Sequence, residues 1–273
     1  MRKEAIKTKF SKFVKVKVRS FESINDDFFN ALYLVNDAFL VRDSCALKEP
    51  LVSFRDEKKV LEAIQDLDIT EKIIHFSPIN GFKVARLVKV SKVYFEFSDA
   101  TLLNFVRMLK KLNKVEISNL STFNPAKAIE SYKEKCNAKD YLPKAKENRI
   151  IKNVVADKLP KVLSHSNIEK QKIKIFENKV KIGDFRFTCY NSPIFDIAYF
   201  SISYNLNSQQ DLYLLNKYFG YKMLNKFVKL LEHYKKYINI LRYYRNCYYY
   251  TLTGEISYLD IKNKLKEQIL SNI

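Results

Sequence analysis

The sequence has no tryptophan, and among its 273 residues only four glycines, six prolines and four cysteines. The four cysteines, Cys45, Cys136, Cys189 and Cys247, are far apart and form no Cys-x-x-Cys pair. That spacing excludes a zinc ribbon and a disulfide framework, and points to free thiols in a reducing compartment. No apolar run approaches the roughly 18 residues a membrane span requires. The opening Met-Arg-Lys-Glu-Ala is followed by no apolar segment, so no secretory signal is expected and the cytoplasm is the default location. Internal repeats and Gly/Ser linkers are also missing.

What is present is a globular composition, 47% apolar, in a chain long enough for one large domain or two lobes. The formal charge is +19. Such a surplus fits a nucleic-acid or anionic membrane-surface partner, but equally a Lys-, Asn- and Ile-rich compositional bias. The basic residues form no tail or block, so charge alone decides nothing.

Residues 10–20 alternate apolar and basic, as a half-exposed strand does. Asn30 to Arg42 reads as two apolar runs around Asn36-Asp37, a hairpin signal. Over Phe54–Leu67 the period changes: Val60, Leu61, Ile64 and Leu67 share a helical face, with Arg55, Asp56 and Glu57 in the first turn. Further strands are predicted at Ile73–Phe76, Val84–Val90 and Val93–Phe97, with a turn at Asn80-Gly81. Helices follow at Leu102–Leu112, Ala126–Cys136 and about Glu147–Asp157. Lys161–Leu163, Lys172–Phe176 and Lys179–Ile182 are strand-like. Helices return over Leu212–Tyr250 and 256–271. The expected fold is α+β. It comprises a sheet-rich lobe with one helix over residues 1–98 and a mostly helical lobe over 99–273, hinged near Phe97–Ala100.

Residues 163–200, LSHSNIEKQKIKIFENKVKIGDFRFTCYNSPIFDIAYF, carry the chemistry-bearing pattern. His165, Asp184 and Phe195-Asp196-Ile197-Ala198, with Asn191 and Pro193, fall at one spacing without a gap. This stretch resembles the catalytic region of choline/ethanolamine kinases, which are aminoglycoside-phosphotransferase-like proteins with a two-lobed protein-kinase-like fold. The resemblance extends to Val41-Arg42, to Arg55–Leu61, to Gly81–Val84 and to Met108–Asn113, over about residues 25–265. It implies ATP-dependent phosphorylation of a small-molecule hydroxyl, with ATP and Mg²⁺ as cofactors. It also implies roles: Asp184 as metal ligand, His165 as brace of the catalytic loop, Asp196 as its anchor, and Arg42 with Glu57 at the nucleotide.

Phosphoryl transfer asks for positioning and charge neutralisation, and the sequence departs from the resemblance where these are supplied. Asn167 stands at the position of the catalytic Asp, and an amide accepts no proton at neutral pH. Lys172 stands at the metal-binding Asn, where an ammonium repels Mg²⁺. Arg186 replaces the acidic residue after Asp184. The phosphate-loop segment Ser20–Asp27 has no glycine and carries Glu22, Asp26 and Asp27. Arg242 and Arg245 stand at the two tryptophan positions of the choline pocket, so choline is disfavoured and an anion favoured. Tyr243, Tyr244 and Tyr248–Tyr250 read as packing, with a base-stacking surface as the alternative. Three readings result: a pseudokinase, which the departures favour; an active phosphotransferase on another small molecule; and a basic RNA- or membrane-surface-binding protein.

Overall fold

The structure is a computed structural model and describes residues 2–26, 30–44, 49–87, 98–176, 179–220 and 224–271. Its elements begin with α1 (Arg2–Phe13), β1 (Phe21–Asp26), β2 (Asn30–Val35), β3 (Phe39–Ser44), α2 (Phe54–Ile64), β4 (Lys72–Phe76), β5 (Lys83–Arg86) and α3 (Asp99–Asn113). There follow α4 (Pro125–Lys133), α5 (Lys144–Val155), β6 (Val162–Ser164), β7 (Ile173–Phe176), β8 (Lys179–Ile182) and β9 (Cys189–Asn191). Four helices complete the order: α6 (Pro193–Tyr204), α7 (Ser208–Phe219), α8 (Leu224–Thr253) and α9 (Ile256–Ser271). The chain forms two compact units, Met1–Leu120 with Gln171–Thr188, and Ser121–Lys170 with Cys189–Ile273. Compactness therefore places α3 and the β7–β8 hairpin with the sheet, whereas the sequence reading divides the chain at 98/99.

The first unit is built on an antiparallel sheet in the order β1-β2-β3-β5-β4. Asn36 and Asp37 turn β2 into β3 at φ 53° and 51°, the left-handed pair that matches strand twist. The Asn36 side chain also pins the preceding segment. Its Oδ1 accepts from the backbone N–H of Arg19 at 2.7 Å and Ser20 at 3.1 Å, and its Nδ2 donates to Lys17 O at 2.8 Å.

Two expectations fail here. Residues 10–20 form no strand: α1 runs to Phe13. Ile6, Phe10 and Val14, at i, i+4 and i+8, are buried against Ala31, Tyr33, Val35, Phe39 and Val41 of the sheet. That helical stripe outweighs the shorter alternation downstream. Nor is Phe21–Asp26 a loop, since it pairs with β2 as an edge strand; the connection falls on 27–29, outside the described residues. The strand expected at Val93–Phe97 and the end of that at Val84–Val90 also lie outside them. At the expected hinge, Ser98 caps α3 by accepting from Thr101 N at 3.1 Å.

The second unit is mostly helical. Ser192 caps α6, Pro193 opens it, and ten of its twelve residues are buried. The sequence reading has no helix there, because a segment apolar all round has no period to detect. On α8, Tyr234, Tyr237, Tyr243 and Tyr244 are fully buried. Their hydroxyls donate to Asp157, Pro125 O, Asp140 O and Glu147. Tyr243 and Tyr244 are therefore core, as buried tyrosines with satisfied hydroxyls are, and offer no face to a base. Strand β6 pairs antiparallel with β9, Val162 opposite Asn191, and so fixes the loop that starts at His165.

Phe10 is fully buried and meets Phe39 edge-on at 5.5 Å. Phe10→Ala is expected to destabilise the protein by about 3–5 kcal/mol in denaturant unfolding. Lys12→Ala, on the exposed face of the same helix, should stay within about 0.5 kcal/mol of wild type.

Candidate functional site

In the first unit β3 carries Arg42, in register with Lys83 on β5. Helix α2 is capped by Ser53, which accepts from Asp56 N, and its buried stripe is Glu57, Val60, Leu61 and Ile64. Glu57 belongs on that stripe because Arg42 meets it. The guanidinium donates Nη1–H to Oε1 at 2.8 Å and Nη2–H to Oε2 at 2.7 Å, a bidentate pair. Its Nε and Nη2 also donate to Gly81 O at 3.1 and 3.0 Å. The rings of Phe54 and Phe76 flank it at 5.7 and 5.6 Å. Gly81 has φ +68°, and a Cβ there would lie 2.5 Å from the Phe54 ring, so only glycine delivers that carbonyl. Both partners are buried, the side chains 3% and 0% exposed, and nearly all of Arg42's donors are committed inside the protein.

Asp184 lies near this pair, with Oδ1 3.9 Å from Arg42 Nη1. Its backbone is left-handed at φ 65°, a conformation Asp tolerates, and the chain then turns so that Arg186 comes back onto it. Arg186 donates Nε–H to Oδ1 at 2.5 Å and Nη2–H to Oδ2 at 2.9 Å. Lys172 Nζ reaches Oδ2 at 3.0 Å, and the Lys172 carbonyl accepts from Gly183 N. Burial alone would raise the Asp184 carboxyl. The charges of Arg186 and Lys172, and then Arg42, outweigh it and hold the group well below the usual carboxylate range.

Of the surrounding charges, Lys83 and Glu71 are buried, while Lys172, Lys174 and Arg186 are partly so. Lys83 is 3% exposed; burial and the Arg42 charge push its ammonium down, while Glu71, Glu57 and Asp184 oppose that. Glu71 accepts from Lys174 Nζ at 2.6 Å. Five cations (Arg42, Lys83, Lys172, Lys174 and Arg186) thus stand with three carboxylates, Glu57, Glu71 and Asp184. Mg²⁺ does not fit this arrangement. Both oxygens of Asp184 are taken, an ammonium rather than an amide faces it, and no group of three or more metal-ligating side chains occurs among the described residues.

The second unit holds His165, Asn167 and Asp196, all buried. Asp196, in the first turn of α6, accepts from His165 N through Oδ2 and from Ser166 N through Oδ1, each at 2.8 Å. These bonds hold Ser166 in its left-handed backbone, φ 60°. Burial pushes the Asp196 carboxyl up to about 6, against the lowering by the two N–H donors. Asn167 does not face open solvent. Its Oδ1 accepts from Arg245 Nη1 at 3.2 Å, while Nη2 of the same guanidinium donates to Glu169 at 3.0 Å and Tyr199 Oη at 2.9 Å.

The six residues singled out in the sequence therefore fall into two sets, Arg42, Glu57 and Asp184 in the first unit, and His165, Asn167 and Asp196 in the second. Lys83, Glu71, Glu169 and Tyr199 were not among them. The one sequence signal for Lys83 is a lysine inside a four-residue strand whose neighbours Val84 and Ala85 are core residues.

No protein-family model and no curated protein matches this sequence. Solved structures do match. Choline kinase LicA from Streptococcus pneumoniae is 17% identical, with 99% of each chain covered and a TM-score of 0.81. A choline/ethanolamine kinase family protein from Mesorhizobium loti is 15% identical, over 99% of this chain and 94% of that one, at 0.79. The GDP complex of aminoglycoside 2'-phosphotransferase-IIIa is 14% identical, over 100% and 99%, at 0.75. The fold is that of the choline kinases and aminoglycoside phosphotransferases. It is the protein-kinase-like α+β fold implied by the resemblance that His165, Asp184 and Asp196 carry.

Glu57→Gln removes the bidentate counter-charge of the buried Arg42 guanidinium and leaves it only the more distant Asp184 at 3.9 Å, and is expected to cost about 3–5 kcal/mol in denaturant unfolding. Arg42→Met with Glu57→Met should recover most of that loss. Asp196 gives a pH test. Its folded value lies above the unfolded 3.8, so the native state binds more protons between 3.8 and about 6. Its contribution to stability is therefore present below pH 3.8 and lost as pH rises to 6, by up to about 3 kcal/mol. The melting temperature of wild type relative to Asp196→Asn should fall across that window. A flat difference would contradict the assignment.

Proposed function

We propose that this chain is a pseudokinase: a kinase-fold protein that binds a nucleotide without Mg²⁺ and transfers little or no phosphate. The observation that carries the reading is the occupation of Asp184 by Arg186 and Lys172. In the resemblance that carboxylate holds the metal; in this chain two side chains supply the positive charge. The surplus of cations over carboxylates in the first unit supports an anionic ligand such as the phosphates of a nucleotide. Arg42 and Glu57 would then frame the nucleotide site without contacting phosphate, since their hydrogen bonds are made to each other and to Gly81.

The second unit supports the same reading. Asn167 cannot act as a base, and Arg245 holds its carbonyl oxygen. A guanidinium where choline kinases place an aromatic wall disfavours a quaternary ammonium. An active transferase of altered specificity would also need an acceptor for the hydroxyl proton. Glu169, which shares the Arg245 guanidinium with Asn167, is engaged by that cation.

Thermal-shift titration with ATP, with and without Mg²⁺, tests the proposal together with an ATP-turnover assay on choline, ethanolamine and aminoglycosides. The expected result is stabilisation by ATP that Mg²⁺ does not enhance, and no turnover. Mg²⁺-dependent turnover would overturn the reading and leave the altered-site phosphotransferase. Lys172→Asn should weaken ATP binding about tenfold or more, the effect of losing a charged hydrogen bond. Lys172→Asn with Arg186→Glu frees both oxygens of Asp184, and is expected to make the ATP shift depend on Mg²⁺.

A further inference from the structure

The cysteines stand far apart in the sequence, yet the second unit brings two of them together. Cys136 lies in the bend after α4, and Cys247 in the interior of α8. The two helices pack on each other, with the rings of Tyr132 and Tyr248 6.1 Å apart. Cys136 Sγ lies 3.2 Å from Tyr132 O and 3.5 Å from Tyr244 O, a carbonyl of α8. A helical carbonyl points toward the turn that follows, and side chains lean back toward the N-terminus. The side chain three positions after Tyr244 therefore borders that oxygen, and it belongs to Cys247. The two thiols meet there as a hydrogen-bonded pair.

The partners differ in ways that divide the chemistry between them. Cys247 is buried, 1% exposed, while Cys136 is only half-buried. Solvent reaches the pair through Cys136. Cys247 is fixed in the hydrogen-bond ladder of a 30-residue helix. Cys136 follows the last turn of α4, its N–H bonded to Lys133 O at 3.0 Å, so the bend can close on α8 without disturbing that helix. The shared hydrogen bond favours a singly ionised pair. It holds the Cys247 thiol below its usual range, against burial, and it pushes Cys136 up, as burial also does. Cys247 is thus placed to take the Cys136 proton. Cys189 lies elsewhere, buried in β9 with Ser166 Oγ at 3.4 Å.

We propose that Cys136 and Cys247 form a dithiol that hydrogen peroxide closes to an intrachain disulfide. The Cys136 sulfur attacks one peroxide oxygen as its proton passes to Cys247. The O–O bond breaks, hydroxide leaves, and Cys136 carries a sulfenic acid. The hydroxide then takes the proton from Cys247. That thiolate attacks the Cys136 sulfur, the S–O bond breaks, and a second hydroxide leaves. With the proton shed when the pair first ionises, two thiols and one peroxide give one disulfide and two waters. A transient disulfide of this kind is compatible with a reducing compartment. Cys247 follows Arg245 by two residues, so the link clamps the turn of α8 that presents its guanidinium to Asn167, Glu169 and Tyr199. The inference rests on thiol chemistry and stands apart from the pseudokinase reading.

Peptide mapping of the full chain after peroxide treatment tests it, with remaining thiols alkylated in denaturant and no reductant present. The peptides containing Cys136 and Cys247 should be recovered joined, short of two hydrogens, from monomeric protein. Dithiothreitol should restore both thiols. The link closes a long loop of the unfolded chain, so the oxidised protein should melt about 5–10 °C higher. Cys136→Ser should abolish both effects. Cys247→Ser should react more slowly and stop at a sulfenic acid on Cys136, trapped by dimedone. Cys45→Ser with Cys189→Ser leaves the pair in place and should oxidise as wild type does. The proposal falls if both thiols stay open to alkylation at peroxide doses that oxidise free cysteine. It falls also if the disulfide joins either residue to Cys45, to Cys189 or to a second chain, or if Cys136 passes on to sulfinic acid with Cys247 untouched.

Discussion

A carboxylate withdrawn from water has to be met by positive charge, and at Asp184 the charge comes from within the chain. An unmatched buried carboxylate costs several kcal/mol. Arg186 meets Asp184 through two parallel hydrogen bonds, and Lys172 through a third. The local backbone serves this contact. A left-handed residue at 184 returns the chain so that a side chain two positions on reaches back, and the bond from Gly183 N to Lys172 O holds the two segments together. Arg42 then has to be balanced elsewhere, and Glu57 balances it from α2. Sheet, helix and hairpin of the first unit are thereby tied by one alternation of charge.

The second unit solves a similar problem with neutral groups. Asp196 is buried with backbone N–H donors in place of cations, so its carboxyl rises where that of Asp184 falls. Two aspartates of one fold thus lie on opposite sides of the ordinary carboxylate range, and the partners decide the direction. Arg245 plays the complementary part. A guanidinium taken into the protein needs acceptors in its own plane, and Asn167, Glu169 and Tyr199 provide them. Arg245 and Asn167, which the resemblance sets at a tryptophan and at the catalytic aspartate, are two ends of one hydrogen bond.

Much of the fold was legible because it is written in local rules. Asn36-Asp37 fixes the β2–β3 hairpin, and the 3.6-residue stripe over Val60, Leu61 and Ile64 fixes α2. The family resemblance carried by His165, Asp184 and Asp196 reached the fold itself. What was not legible depends on contacts distant in sequence. Residues 10–20 alternate like a strand, yet α1 and its irregular tail obey the sheet beneath them. Helix α6 is apolar on every side, so nothing in its sequence marks a face. The residues flanking the candidate site were hidden for the same reason. Lys83, Glu71 and Glu169 are ordinary charges in the sequence, and only burial beside Arg42, Lys174 and Arg245 sets them apart.

The Asn167–Arg245 bond makes its two ends depend on each other. Placing an aspartate at 167 by one substitution would set a carboxylate against a fixed guanidinium, where it would form an ion pair and lose its use as a base. Placing an aromatic at 245 alone would strip Glu169, Tyr199 and Asn167 of a shared donor. Asp184 is guarded twice, since losing Lys172 leaves Arg186 in place and losing Arg186 leaves Lys172. Each single substitution thus meets a neighbour already committed to the residue present. At both places the unit of change is therefore a contact and not a residue, so substitutions have to come in pairs.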